Sequence, residues 1–159
     1  GSGELPGRFG SGNPMICPYE AFPTCDKWVV IAAGNDSLFK KLCQAFNRNE
    51  WSNDERFLNN SRRVENRHEL INLIGDITQS KTSESLLQLL KDYGIPAAPV
   101  LNVDEILKEK QLLESGMIQT INHSHIPNFK SIGLPLVFDN MRPPLRYPPP
   151  IEIHDKVDS

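Results

Sequence analysis

The sequence predicts an α+β fold in which a small antiparallel β-sheet packs against several helices, with an extended arm at each end. Three observations carry this prediction. A β-hairpin pattern occupies residues 16–32, apolar stripes at helical spacing follow over residues 36–93, and further apolar extended segments come after Gly94. The chain has no internal repeat, and its 159 residues are enough to enclose a hydrophobic core in one domain.

The hairpin is predicted from two apolar runs, Tyr19–Phe22 and Trp28–Ala32, which are separated by a turn at Cys25–Lys27. The second run ends in polar residues that include Asn35 and Asp36. Either side chain can accept a hydrogen bond from the free N–H groups at the start of a first helix. That helix is expected to bury one stripe of side chains: Leu38, Phe39, Leu42, Cys43 and Phe46.

Two more helices are predicted in the middle of the chain. Residues 47–61 are mostly polar and indicate a short helical turn and a loop, and a second helix is predicted over residues 63–79. Thr82 is the predicted N-cap of a third helix. Gly94 suits the position that follows this helix, and Pro96 prevents the helix from continuing.

The last third of the chain is predicted to contain one helix and three short extended segments. Residues 97–101 are apolar and extended, and Asn102 with Glu105 has the spacing of a capping box at the start of a fourth helix that ends near Gly116. Two further strands are predicted at residues 117–122 and 132–138, and residues 123–128 are predicted to form a turn between them.

Glycine and proline mark the two ends and predict three segments. Residues 1–15 are expected to form a glycine-rich loop or linker, and residues 16–140 a small α+β domain. Residues 141–159 contain several prolines and predict an extended arm with polyproline character.

The composition predicts an intracellular protein that binds neither nucleic acid nor a membrane. The net charge is −3 and no run of Lys or Arg is present. No segment approaches the roughly 18 apolar residues that a membrane span needs, and the polar N-terminal segment lacks the apolar region of a signal peptide. The cysteines Cys17, Cys25 and Cys43 have no CxxC spacing, so we expect reduced thiols and neither a disulfide nor a zinc site.

The segment Gly10-Ser11-Gly12-Asn13-Pro14 is the main candidate for a functional loop. It is neither a P-loop nor a dinucleotide fingerprint, because the GK[ST] ending and the strand-then-helix frame are both missing. Glycine lets the backbone approach a ligand closely, and Arg8 adds a permanently charged group beside it. From the residues alone, a solvated linker and an active-site lid both remain open.

Two other clusters favour structural interpretations. His123 and His125 could form a metal-binding pair on one face of a strand, but no third ligand has a suitable spacing, so no metal site is predicted. Arg62, Arg63 and Arg67 lie near one predicted helix start, where a solvated or ion-paired face is the more common arrangement and substrate binding the less common one.

Five segments, taken in order, resemble the C-terminal part of the class III (CaiB/BaiF-type) CoA-transferases. The similarity covers roughly residues 1–155, and the sequence is similar to the branch typified by the succinyl-CoA–glutarate CoA-transferases. The segments are GSGELPGRFG, NPMICPYEAFPTCD, WVVIAAGNDSLFKKLC, RVENRHELI and YGIPAAPVLNVDEI.

The resemblance implies that CoA moves between carboxylic acids through an aspartyl-CoA thioester. The nucleophilic aspartate of the family lies in a larger N-terminal domain, so no catalytic residue is assigned in this chain. In some members a glycine-rich loop followed by Gln-Pro closes over the active site. By position, the resemblance assigns this lid or substrate-binding role to Gly10, Ser11, Gly12, Asn13 and Pro14, with Asn13 in place of Gln and Ser11 between the glycines. Arg8 and Tyr19 are further candidates for binding.

The resemblance also implies the partners. They are an acyl-CoA, a carboxylic acid, the missing large domain and, for the full-length protein, a second subunit in an interlocked homodimer. Coenzyme A would be a substrate and no cofactor would be tightly bound. The expected location is the cytoplasm, or the mitochondrion in a eukaryote. The alternative is a stand-alone binding or interaction module that has the fold without the chemistry.

Overall fold

The computed structural model describes residues 7–149, and predictions for residues 1–6 and 150–159 lie outside this range. The described chain forms two compact units, the first ending at Val100 and the second beginning at Leu101. This boundary falls within the segment 16–140 that the sequence predicts as one small domain.

The first unit contains a three-stranded antiparallel sheet, which together with the helices confirms the α+β class. The strands are β1 (Tyr19–Pro23), β2 (Trp28–Ala32) and β3 (Ala97–Pro99), in the spatial order β1-β2-β3. The predicted hairpin is confirmed, with Tyr19 opposite Ala32 and Pro23 opposite Trp28.

Four α-helices and one 3₁₀ turn complete the first unit. They are α1 (Asp36–Ala45), the 3₁₀ turn (Asn49–Asn53), α2 (Asn60–Glu65), α3 (Arg67–Thr78) and α4 (Ser83–Asp92). Two predicted caps are confirmed. The Asn35 side chain accepts from the N–H of Leu38 and the Thr82 side chain accepts from the N–H of Ser85. Gly94 has φ +64° as predicted for the residue after α4.

The single helix predicted over residues 63–79 is wrong, because α2 and α3 are separate. Asn66 ends α2 with φ −102° and ψ 23°, and its Nδ2 donates to the carbonyl oxygens of Arg62 (2.9 Å) and Arg56 (3.2 Å). An asparagine side chain that bonds to the backbone competes with helix continuation. Asn66 therefore separates α2 from α3, although the apolar spacing of the sequence runs through both.

The core of the first unit lies where α1, α3 and α4 pack beside the sheet. Alternation along β2 buries Val29 and Ile31, and the helices contribute their predicted apolar stripes. The largest buried apolar side chains are Phe22, Ile31, Leu42, Phe57, Leu70, Ile74, Leu86 and Leu90. None of the helices within residues 7–149 is both long enough and apolar enough to cross a bilayer.

The second unit contains two short helices and a β-hairpin. Its elements are α5 (Val103–Ile106), α6 (Lys110–Glu114), β4 (Ile118–Ile121) and β5 (Phe129–Ile132). The capping box of Asn102 and Glu105 is confirmed. The single fourth helix is wrong, because Glu109 has an extended backbone (φ −64°, ψ 119°). Neither short helix buries a residue fully, so no packing stripe holds them together as one helix.

The strand predicted at residues 132–138 begins earlier in the structure. Asn128 has φ +54° and ends the preceding turn, so that Phe129 is already opposite Ile121 in the hairpin. The pairing ends where the N–H of Gly133 donates to the carbonyl oxygen of Met117 at 2.7 Å. The apolar run after Gly133 is therefore mostly outside the strand, although its composition is typical of one.

The carboxylate of Asp26, in the turn between β1 and β2, forms hydrogen bonds with the first residue of α4. Asp26 accepts hydrogen bonds from the Ser83 N–H (2.7 Å), the Ser83 hydroxyl (2.9 Å) and the Thr24 hydroxyl (2.8 Å). The Ser83 N–H, followed by the Thr24 hydroxyl, holds the pKa of Asp26 below its ordinary value of 3.8. The negative charge also lies at the favourable end of the α4 dipole.

We expect the replacement Asp26→Asn to remove a pH-dependent part of the stability. The folded pKa is lower than the unfolded one, so this contribution is complete well above pH 3.8 and is lost as the pH falls through the folded pKa. The urea midpoint of the wild type should exceed that of the variant at pH 7, and the two should converge toward pH 3 or below. A midpoint difference that is independent of pH would contradict this.

Candidate functional site

The predicted lid residues form a series of turns before β1. Gly10 has φ +61°, in the left-handed region that favours glycine, and the N–H of Gly12 donates to the carbonyl oxygen of Phe9 at 2.9 Å. Gly10 and Ser11 are exposed, and among residues 7–149 no group accepts a hydrogen bond from their N–H groups. Within residues 7–149 the tip of the loop, Phe9–Gly12, therefore has two backbone donors without an acceptor.

The loop lies along the outer edge of β1. The N–H of Asn13 donates to the carbonyl oxygen of Tyr19, and the N–H of Ala21 donates to Oγ of Ser11, both at 3.0 Å. Unpaired groups at a sheet edge are open to pairing with other chains, and here the loop occupies two of them. Ser11, which the resemblance identifies as a departure from an all-glycine loop, is thus one of the residues that attach the loop to the sheet.

Gly12 lies in a space that leaves little room for a side chain. A Cβ at this position would be 3.1 Å from the carbonyl oxygen of Phe9 and 3.2 Å from Nη1 of Arg67, with a Glu20 carboxylate oxygen at 3.4 Å. Distances this short require the neighbours to move. A larger residue at position 12 would therefore be tight against the Phe9 carbonyl, the Arg67 guanidinium and the Glu20 carboxylate.

The residues that follow the tip are held by side chains of α2 and α3. Asn60 accepts from the N–H of Cys17 at 3.1 Å and donates to the carbonyl oxygen of Met15 at 2.9 Å. Arg67 donates to the carbonyl oxygens of Asn13 and Ile16, the latter at 2.7 Å. These bonds fix residues 13–17, so that any closing motion of the loop is confined to its tip.

Arg63 is completely buried, so the solvated alternative is wrong for this residue, whereas the ion-paired alternative is confirmed by its contact with Asp36 at 2.8 Å. Arg62 fits that prediction, since it is exposed and pairs with Glu65 at 3.1 Å. The Arg63 guanidinium also lies 4.5 Å from the centre of the Phe39 ring. It donates four hydrogen bonds, to the carbonyl oxygens of Cys17 (2.8 Å), Gly34 (2.9 Å) and Phe57 (3.1 Å) and to Oδ1 of Asp36 (2.8 Å).

Sequence reasoning missed these anchors, although a signal was available. Asn60, Arg63 and Arg67 are spaced by three and four residues, which is the spacing of one helical face. A face with two arginines and an asparagine is unusual for a core, and it indicates a bound backbone or ligand. In the structure these residues belong to two helices, Asn60 and Arg63 to α2 and Arg67 to α3, and together they hold the chain backbone between Asn13 and Cys17.

The loop tip lines a cleft of about 410 Å³. Phe9, Gly10 and Ser11 form one side, and Trp28 with part of β1 forms another. Both aromatic side chains are about half exposed, Phe9 at 48% and Trp28 at 52%. The polar side chains that complete the lining are Glu20, Asn72, Asp76 and Gln79. The cleft thus combines aromatic walls with hydrogen-bonding groups, a composition typical of ligand sites.

The two other candidate binding residues lie away from this cleft. Tyr19 lines a separate cleft of about 530 Å³, together with Asn35, Asp36 and Asn60. Arg8 is exposed and lines neither cleft. The structure therefore brings Gly10 and Ser11 together with a cavity but does not bring Arg8 or Tyr19 to the same place.

The two buried thiols, Cys17 and Cys43, are poorly suited to nucleophilic or redox chemistry. Burial raises the pKa of Cys17 to about 11 and the pKa of Cys43 to about 12, so both remain protonated at neutral pH. The three cysteines are free, and Cys25 is exposed. Burial also raises the pKa of Glu20 above its ordinary value, despite the opposing effect of Arg67.

His123 and His125 lie between β4 and β5, in the turn that the sequence predicts over residues 123–128. Nδ1 of His123 accepts from the N–H groups of His125 (3.2 Å) and Ile126 (3.1 Å), so this ring nitrogen supports the turn. Within residues 7–149 no group of three His, Cys, Asp or Glu side chains is placed to hold a metal ion.

Comparisons with known proteins agree on one family. A family model described as CoA-transferase family III matches residues 1–154. The succinyl-CoA:glutarate CoA-transferase of Mus musculus is 29% identical over 144 residues, which are 91% of this chain and 33% of the relative. The succinate–glutarate CoA-transferase of Agrobacterium fabrum is 29% identical over 149 residues, which are 94% of this chain and 37% of the relative.

A solved structure shows the same similarity in three dimensions. The crystal structure of a CaiB/BaiF family protein from Brucella suis superposes with a TM-score of 0.73 and 32% identity, over 89% of this chain and 36% of that protein. The chain therefore spans about a third of the length of the relatives that it matches.

Proposed function

The chain belongs to CoA-transferase family III, and from this membership we propose that it is the small-domain part of an enzyme that moves CoA between carboxylic acids. The observation that carries the proposal is the match over residues 1–154 to a family whose similar members are named as CoA-transferases. Those names favour dicarboxylates as substrates, with succinyl-CoA as donor and glutarate as an acceptor to test first.

In this proposal the chemistry depends on a carboxylate outside the chain. The carboxylate of an aspartate attacks the thioester carbonyl of the acyl-CoA, which forms a mixed anhydride and releases CoA as a thiolate. The thiolate then attacks the aspartyl carbonyl, which forms the aspartyl-CoA thioester and releases the donor acid. The second acid reverses these steps: its carboxylate displaces the thiolate to form a second mixed anhydride, and the thiolate attacks the new acyl carbonyl to give the product acyl-CoA and the free aspartate. We expect residues 1–159 alone to be inactive, because none of their carboxylates matches the family's catalytic motif. The large domain and a second, interlocked subunit would complete the site, and we assign the reaction to the interior of the cell.

We assign the Gly10–Pro14 loop to the protection of the acyl intermediate. Thioesters and anhydrides are lost to hydrolysis if water reaches them, so a segment that excludes solvent is valuable. The free N–H groups of Gly10 and Ser11 could donate to an oxyanion, and residues 13–17 are fixed firmly enough to hold them in place.

The proposed activity is tested with the full-length protein that contains this chain. Succinyl-CoA is mixed with glutarate, with other dicarboxylates and with monocarboxylates, and the CoA esters are separated by chromatography. We expect exchange with at least one dicarboxylate, and no exchange when residues 1–159 are supplied alone. Failure to transfer CoA to any acid of the panel would contradict the proposal.

A binding or interaction module remains the second candidate, and one observation favours it. The first unit encloses its own hydrophobic core, so it has the packing of a self-contained domain. A reading frame without an upstream large domain would support this function. Calorimetric titration of the chain with CoA would then decide whether it retains a ligand.

We expect Gly12→Val in the full-length enzyme to lower kcat about tenfold with a smaller effect on KM. The added side chain collides with the Phe9 carbonyl and the Arg67 guanidinium, and so displaces the loop tip. Gly7→Val is the matched control, since the nearest atom to a Cβ at position 7 is 4.0 Å away. Steady-state kinetics of both variants measure the effect, and equal kcat values would contradict the role of the loop.

A further inference from the structure

We infer that Arg67 is a positioning residue for CoA transfer, acting by setting the conformation of the Gly10–Pro14 loop. The inference rests on the proposed function of that loop. Arg67 is the first residue of α3, and its side chain is 18% exposed. It lies at the exit of the loop, outside the buried core that holds Arg63.

The guanidinium of Arg67 connects three separate backbone and side-chain groups. Its Nη2 donates to the carbonyl oxygens of Asn13 and Ile16, and its Nη1 donates to Oε1 of Glu20 at 2.7 Å. Asn13 and Ile16 are also joined directly, since the N–H of Ile16 donates to the carbonyl oxygen of Asn13 at 3.4 Å. One side chain thus fixes both ends of the turn that follows the loop tip.

Glu20 orients the Arg67 fork from the adjacent strand. It belongs to β1, and its side chain is 16% exposed. The guanidinium is planar and its donors have fixed directions. When Nη1 is held by the Glu20 carboxylate, Nη2 therefore points at the carbonyl oxygens of Asn13 and Ile16. Lysine has the charge but not this geometry, so Arg67→Lys cannot reproduce all three contacts.

Gly12 connects this cluster to the loop tip. A Cβ at position 12 would lie 3.2 Å from Nη1 of Arg67 and 3.4 Å from a carboxylate oxygen of Glu20, so these two groups adjoin the Gly12 backbone. A shift of the guanidinium therefore changes the position of Gly12 and, with it, the direction of the neighbouring free N–H groups. Arg67 therefore contacts both the residues that follow the loop tip and Gly12 of the tip itself.

Asn60 and Arg63, the two α2 residues that also bind this part of the chain, make different contacts. Asn60 holds Met15 and Cys17, which are farther from the tip, and Arg63 reaches only Cys17 in this part of the chain. Arg67 alone among these three donates a hydrogen bond to Asn13, the residue that follows the loop tip. The assignment of a positioning role therefore falls on Arg67 and not on the three residues as a group.

The test compares Arg67→Met and Arg67→Lys with Arg62→Met in the full-length protein. Arg62 is a matched control, since it is exposed and pairs only with Glu65 in the described structure. We expect Arg67→Met to lower kcat about tenfold and to change KM less than about threefold, with Arg67→Lys intermediate and Arg62→Met unchanged. If Arg67 only stabilised the fold, kcat of Arg67→Met would fall in proportion to the fraction of the variant that is unfolded at the assay temperature. A thermal melting curve measures that fraction.

Hydrogen exchange provides a readout that does not depend on activity. The amide of Asn13 is bonded to Tyr19, and we expect peptides covering residues 12–18 to exchange faster in Arg67→Met but not in Arg62→Met. Unchanged exchange and unchanged kcat in Arg67→Met would each overturn the inference. If the wild-type protein transfers no CoA, the proposed function fails and the exchange result alone decides whether Arg67 positions the loop. Glu20→Gln keeps a hydrogen-bond acceptor for Arg67. In this variant the exchange of residues 12–18 should increase less than in Arg67→Met.

Discussion

Replacing Arg63 by methionine is expected to lower the free energy of unfolding by about 3–5 kcal/mol. Methionine fills part of the space but donates no hydrogen bond, so the carbonyl oxygens of Cys17, Gly34 and Phe57 lose a partner. A buried polar group without a partner costs about 1–3 kcal/mol. The side chain of Asp36 is 64% exposed, so water can replace the guanidinium there and the three carbonyls account for most of the loss.

Arg62→Met is the control for this prediction, because it makes the same substitution one residue earlier. Its salt bridge joins two side chains that are both 59% exposed, and such pairs contribute about 0–1 kcal/mol. Urea denaturation followed by circular dichroism measures both variants. Arg63→Lys should recover only part of the loss, since one ammonium group cannot reach carbonyls in different directions. Similar unfolding free energies for Arg63→Met and Arg62→Met would show that the buried network is not needed.

The replacement Gly34→Ala is expected to destabilise the fold by about 1–3 kcal/mol through a direct collision. A Cβ at position 34 would lie 1.9 Å from Cγ2 of Ile16. This methyl group is attached to a branched Cβ and has little freedom to move aside. Displacing Gly34 would also disturb its carbonyl oxygen, which accepts a hydrogen bond from Arg63.

The collision can be relieved by a second substitution, which makes the prediction specific. Ile16→Ala removes the offending methyl, so the double variant should recover much of the stability lost in Gly34→Ala. Gly75→Ala is the contrasting control. The nearest atom to its Cβ would be 3.9 Å away and the site is inside α3, so alanine there should stabilise by about 0.5–1 kcal/mol. Thermal unfolding of the wild type, Gly34→Ala, Ile16→Ala, the double variant and Gly75→Ala distinguishes steric collision from a general intolerance of alanine. Additive effects of the two substitutions in the double variant would contradict the collision.

Local signals in the sequence were sufficient for much of the fold. The hairpin, the caps at Asn35 and Thr82, the positive φ of Gly94 and the capping box at Asn102 were all predicted and are confirmed. Each depends on residues that are close together in the chain, so their types and spacing carry the information. The break at Asn66 and the start of β5 were missed, because a side-chain bond to Arg56 and a turn conformation at Asn128 override the apolar pattern.

The sequence also predicted only part of the candidate site. The glycine-rich segment was identified from composition and resemblance, and the family is established by the match over residues 1–154. The cleft beside the loop tip and the separation of Tyr19 from it required the structure. The assignment of Gly10–Pro14 to a lid stays a prediction. Because hydrogen bonds hold residues 13–17, the part of this loop that can move is limited to its tip.

The sequence by itself determined the class of fold, the main turns and caps, and the family. Only the tertiary structure decided that Arg63 is buried and that Arg67 supports Gly12. The physical reason is distance along the chain. Arg63 reaches a carbonyl 46 residues away and Arg67 one 54 residues away, and no local spacing specifies which backbone groups a guanidinium will meet after the chain has folded.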